Sequence, residues 1–160
     1  MVRPLAVRGV TRPSVPDRAW ALLFARAILG LIFFMAGVWK VFELGPVAHA
    51  RRWFVDPYAQ SFLPRWSLWA TGTTVPIVEL VAGAMLLVGW QVRSALLALG
   101  GVLVLVTFGH LLAEPLFEFH MHVIPRSALL LFLMVMPRSE DCLSMDHWLM
   151  RRKAGGMDLS

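Results

Sequence analysis

Charge is scarce in this sequence, and acidic charge is scarcer than basic. Asp, Glu, Lys and Arg make up 16% of the 160 residues, against 58% hydrophobic, which is too little charge for an ordinary soluble domain of this size. No acid precedes Asp17. The single cysteine, Cys142, excludes an internal disulfide, a CxxC redox pair and metal sites built on several thiolates. There is no HExxH, haem-ligand pair, flavin fingerprint or iron–sulfur motif, so a redox role would need electrons from elsewhere. No internal repeat stands out, and this leaves little material for alternating-access transport. After the basic start no small-residue cleavage site follows, so the first apolar run reads as an uncleaved bacterial signal-anchor rather than a removed leader.

What remains is long apolar runs with Arg between them. The net charge of +5 lies in short flanks, the distribution of topology determinants and lipid-headgroup contacts rather than of a nucleic-acid surface. Residues 1–18 carry Arg3, Arg8, Arg12 and Arg18 with Pro4, Pro13 and Pro16, and read as a basic flexible arm. Residues 19–137 read as a membrane domain of four helices, and residues 138–160 as a polar tail. The predicted spans are 19–41, 70–90, 94–113 and 116–136. Trp20 and Trp39 bracket the first, and Trp69 and Trp90 the second, as interfacial belts would. The fold class expected is therefore all-α: an integral membrane four-helix bundle with an amphipathic connection between helices 1 and 2. In that connection His49, Arg51, Arg52 and Asp56 alternate with Trp53, Phe54, Tyr58, Phe62 and Trp66, a mixture suited to a membrane surface. His49 and His147 read as solvated.

Nine Lys or Arg residues fall on one side if both termini are cytoplasmic: Arg3, Arg8, Arg12, Arg18, Arg93, Arg138, Arg151, Arg152 and Lys153. The positive-inside rule then predicts the bacterial inner membrane with N and C termini cytoplasmic.

Polar residues inside the apolar spans carry the functional reading. Arg26, Gly30, Phe33, Gly37 and Lys40 share a face of span one, and Glu79 lies inside span two. The stretch from His110 to Arg126 holds three His, two Glu and one Arg. His110 and Glu114 end span three, while Glu118, His122 and Arg126 stand at i, i+4 and i+8 on span four. Three readings compete: a polar clasp whose members satisfy each other, a quinone or proton-handling site with Arg26, Lys40, Glu79, His110, His122 and Arg126 as its residues, and a metal held by His and Glu. The first two are preferred, and no metal ligand is assigned.

The motifs resemble those of the DoxX-type membrane proteins, the four-helix family that includes the small subunit of thiosulfate:quinone oxidoreductase. Arg26-x3-Gly30-x6-Gly37-x2-Lys40 is similar to that family's first span, Glu79-x3-Gly83-x5-Gly89 followed by Arg93 to its second, and Ser144-Met145-Asp146-x2-Leu149 to its tail. The resemblance spans most of residues 20–150. It implies a small subunit of a quinone-linked or other redox membrane complex, with no catalytic residue identified. The alternative is a non-catalytic accessory subunit packing against a larger membrane complex. The partners expected are the lipid bilayer and that complex.

Overall fold

The computed structural model describes residues 15–114, 121 and 123–157; residues 1–14 of the basic arm, Glu118, His120 and His122 lie outside the described residues, while Asp17 and Arg18 of that arm open the first helix. Helix α1 (Asp17–Val38) starts behind the extended Pro16 and widens into a π-helical turn at Trp39–Leu44. Gly45, at φ 84°, ends it in a conformation that a side chain would strain. A short α2 (Pro46–Ala50) and a second π-helical turn (Arg51–Val55) follow. Helix α3 (Arg65–Val88) begins after Pro64 and stops at Gly89, whose φ of 74° closes a left-handed cap. Helix α4 (Val92–Ala113) comes next, then α5 (Val123–Val135), a 3-10 turn at Arg138–Glu140 and α6 (Met145–Met157). No strand occurs among the described residues.

Among the described residues, three helical stretches are long and apolar enough to cross a bilayer: Asp17–Leu44, Arg65–Val88 and Val92–Ala113. The fourth expected span is represented among the described residues by the 13 residues of α5, about 20 Å of helix, short of a hydrocarbon core of about 30 Å. The sequence therefore predicts one more complete span than the described residues contain.

The α1–α3 pair is the structural spine. A Cβ on Gly37 would stand 2.5 Å from the backbone N of Leu80, and one on Gly83 2.5 Å from that of Phe34. Only hydrogen fits there, and the two backbones touch, as small residues permit in lipid where van der Waals packing drives helix association. Leu22, Leu29, Phe33, Leu86, Leu96 and Leu99 form the apolar core between α1, α3 and α4, and Leu130 and Leu133 of α5 join it. Phe24, Ile28, Leu97 and Val104 face outward, the arrangement of a protein whose solvent is lipid.

The end of the molecule at Gly89 is tied by the tail. The Asp146 carboxylate accepts N–H bonds from Gln91 at 2.8 Å and Val92 at 3.0 Å, satisfying donors that the start of α4 leaves without intrahelical partners. The Asp146 N–H in turn donates to the Gly89 carbonyl at 3.0 Å. Asp146 thereby holds Gln91, the one non-glycine residue at positive φ among those described.

Candidate functional site

The connection between α1 and α3 does not lie flat on a surface. It folds back against α3, burying His49, Ala50 and Val55 while Trp53, Phe62 and Trp66 remain exposed. Close approach is possible because Gly72 has no side chain: a Cβ there would stand 2.6 Å from Ala50 Cα. Two hydrogen bonds fix the fold-back. His49 Nδ1 meets the Gly72 carbonyl at 2.8 Å. At the other end Tyr58, the chain's one tyrosine, donates its hydroxyl to the Gly109 carbonyl of α4 at 2.7 Å. Burial raises the Tyr58 pKa, which keeps the phenol protonated as a donor.

The Gly72 bond has a cause in the sequence. A helical carbonyl accepts from the N–H four residues on, and for Gly72 that residue is Pro76, which has none. The carbonyl is buried and needs a donor. His49 supplies it, and this corrects the expectation of a solvated histidine: its exposure is 3%.

Between the fold-back, α1, α3 and α4 lies a cavity of about 630 Å³, within the usual range for small-molecule sites. Phe33, Trp39, Trp53, Phe54 and Phe108 give it aromatic walls, and Val75, Val102 and Val106 aliphatic ones. Its polar lining includes Lys40, His49, Tyr58, Glu79, His110 and Arg126, with the hydroxyl side chains of Ser67 and Thr71. Lys40 Nζ donates to Glu79 Oε2 at 2.6 Å, and their side chains are 22% and 7% exposed. Along α3, Glu79 lies about 15 Å from Gly89 and about 21 Å from Arg65 at 1.5 Å per residue, so the pair sits deep in the span. An ion pair so placed requires both partners, because removing one strands a buried charge at a cost of about 3–5 kcal/mol. The Arg126 guanidinium stands over the Phe33 ring at 5.7 Å. No carboxylate lies within 4 Å of it among the described residues.

Four of the six residues expected at a site thus come together: Lys40, Glu79, His110 and Arg126. His122 lies outside the described residues. Arg26 stands apart, about 21 Å down α1 from Lys40. It is 1% exposed, packs against Gly89, donates to the Leu143 carbonyl at 3.2 Å and faces Asp141 at 3.6 Å. Its place is the clasp between α1, the α3–α4 turn and the tail. Burial there raises the Asp141 pKa, against the pull of the Arg26 charge.

His49 and Tyr58 enter the cavity lining without having been expected there. The signal for His49 was the Gly72-x3-Pro76 spacing, which announces an orphaned carbonyl but does not name its donor. Among the described residues no three of His, Cys, Asp and Glu converge as a metal ligand set.

The family model for methylamine utilisation protein MauE matches residues 18–114, more than half of the chain, from the start of α1 to the end of α4. No curated protein and no solved structure matches. The match corrects the DoxX-type resemblance, since the two are different families. The residues that carry that resemblance have packing and charge-pairing roles here: Gly30, Gly37 and Gly83 mark a tightly packed helix pair, and Lys40 with Glu79 a buried ion pair. Such requirements follow from crossing a membrane and do not distinguish one small membrane family from another.

Proposed function

Because the chain belongs to the family of methylamine utilisation protein MauE, we propose that it is an accessory membrane subunit of a redox-linked system, and that its cavity takes the ring of a quinone-class molecule. The observation that carries this reading is the Lys40–Glu79 pair in the wall of an aromatic cavity deep in the span. A flat, lipid-soluble ring with polar atoms at both ends suits aromatic walls with separated hydrogen-bonding groups. Arg126 and Lys40 can donate to ring oxygens, and Glu79 and His110 are of the residue types that exchange protons with them. The partner would be a larger membrane complex supplying the electrons.

The remaining topology belongs to this proposal. With α5 as part of a fourth membrane element, four crossings place both termini on the cytoplasmic side of a bacterial inner membrane, where the basic flanks are favoured. A reporter enzyme fused after Ser160 then reads cytoplasmic; a periplasmic reading overturns this orientation.

Binding is tested on the full chain in lipid nanodiscs, titrated with a decyl-benzoquinone and followed by quenching of tryptophan fluorescence, since Trp39 and Trp53 line the cavity. Saturable quenching is expected, and Val106→Phe, which fills the cavity without removing a polar group, should weaken it at least tenfold. Quenching that stays linear with quinone concentration, or is unchanged in Val106→Phe, contradicts the reading.

A further inference from the structure

A histidine side chain usually has two interchangeable tautomers, and which one is present decides what it can recognise. For His49 the choice is made by α3. Pro76 leaves the Gly72 carbonyl without its helical donor, and that oxygen can only accept. His49 Nδ1 lies 2.8 Å from it and must therefore carry the proton. A neutral imidazole with Nδ1–H has a lone pair on Nε2 and no proton there. Nε2 has no hydrogen-bond partner among the described residues, and the imidazole lines the cavity beside Phe54, whose ring centroid is 5.6 Å away.

The imidazole is also held neutral. Burial lowers its pKa; the Gly72 bond and the Glu79 charge oppose this, while the Lys40 charge adds to it. Lys40 and Arg126 offer protons only, and the Glu79 carboxylate takes its bond from Lys40 at 2.6 Å, whereas His49 offers a neutral acceptor fixed in place by the backbone.

We propose that His49 is a ligand-binding residue of fixed tautomer, whose Nε2 accepts the hydroxyl proton of a phenolic ring, so that the cavity prefers a hydroquinone to the corresponding quinone. The inference rests on the reading of the cavity as a quinone-class site and specifies which form it selects. A quinone has carbonyl oxygens alone, and against Nε2 such an oxygen would place two lone pairs face to face. A hydroquinone turns that contact into an O–H···N bond. Pro76 is then a positioning residue: it touches no ligand and acts by keeping Gly72 available to His49.

The test is a set of titrations in nanodiscs with three probes of common ring substitution and tail: a decyl-hydroquinone, the matching decyl-benzoquinone, and the dimethyl ether of the hydroquinone. Wild type should bind the hydroquinone about five- to tenfold more tightly than either of the others, the scale of one hydrogen bond. His49→Asn keeps an N–H for Gly72 at the position of Nδ1 but presents no acceptor at that of Nε2. It should remain folded and lose the preference, with quinone affinity little changed. Pro76→Ala restores an N–H to compete for Gly72 and should reduce the preference without touching the cavity wall. Equal affinity for hydroquinone and ether in wild type overturns the inference, as does a preference that survives His49→Asn. If none of the probes binds, the quinone-class reading itself falls.

Discussion

Pro76 withholds one N–H from α3, and the effect reaches a histidine in the preceding connection. The Gly72 carbonyl takes its bond from His49, and the connection is drawn into the bundle as a cavity wall. That placement carries a pH signature. The His49 pKa is lowered from its ordinary 6.5 chiefly by burial. As pH falls through 6.5 the unfolded chain takes up a proton that the folded protein still refuses, so the stability of the fold declines with acidification until the lower folded pKa is passed. The groups around the imidazole are Lys40 on α1's extension, Gly72 and Glu79 on α3, and the Phe54 ring. Thermal unfolding followed from pH 7.5 to pH 5.5 should show a falling midpoint in wild type and a shallower fall in His49→Asn. Identical slopes would mean that the imidazole is not held neutral.

At the scale of elements, packing of α1 on α3 sets the positions of everything else, because Lys40 meets Glu79 only if the two helices keep their register. Gly83 and Gly101 make opposite predictions from the same substitution. In Gly83→Ala the new Cβ would meet the Phe34 backbone at 2.5 Å, and overpacking of this kind costs about 1–3 kcal/mol. In Gly101→Ala the Cβ meets nothing within 4 Å, and the helix should gain up to about 1 kcal/mol. Unfolding in detergent by a graded denaturant compares them; equal effects would show that the close α1–α3 approach is absent. Much of this was legible beforehand. The apolar runs, the first two bracketed by Trp, located α1, α3 and α4 with boundaries off by at most about five residues, since a span in lipid must be apolar over most of its length. The fold-back of the connection was not legible, because its aromatic and basic residues suit a membrane surface equally well, and only the pairing of Gly72 with Ala50 and His49 distinguishes the two.

The whole molecule is an all-helical, multi-pass membrane protein of the MauE family, clasped at one end by its tail and hollow toward the other. The sequence pointed to a set of polar residues in the spans, and the structure divides that set. Lys40, Glu79, His110 and Arg126 line one cavity, while Arg26 belongs to the clasp with Asp141 and Leu143. Spacing along one helix face could not separate these roles, since Arg26 and Lys40 share a face and differ in depth. The most direct measurement is photo-crosslinking with an azido-quinone in nanodiscs, followed by mass spectrometry of the labelled peptides. Adducts confined to cavity-lining positions in 33–79, 102–110 and 123–126, and suppressed by excess decyl-benzoquinone, are the predicted result. Adducts spread over the outward-facing Phe24, Ile28, Leu97 and Val104, and insensitive to competitor, would contradict it.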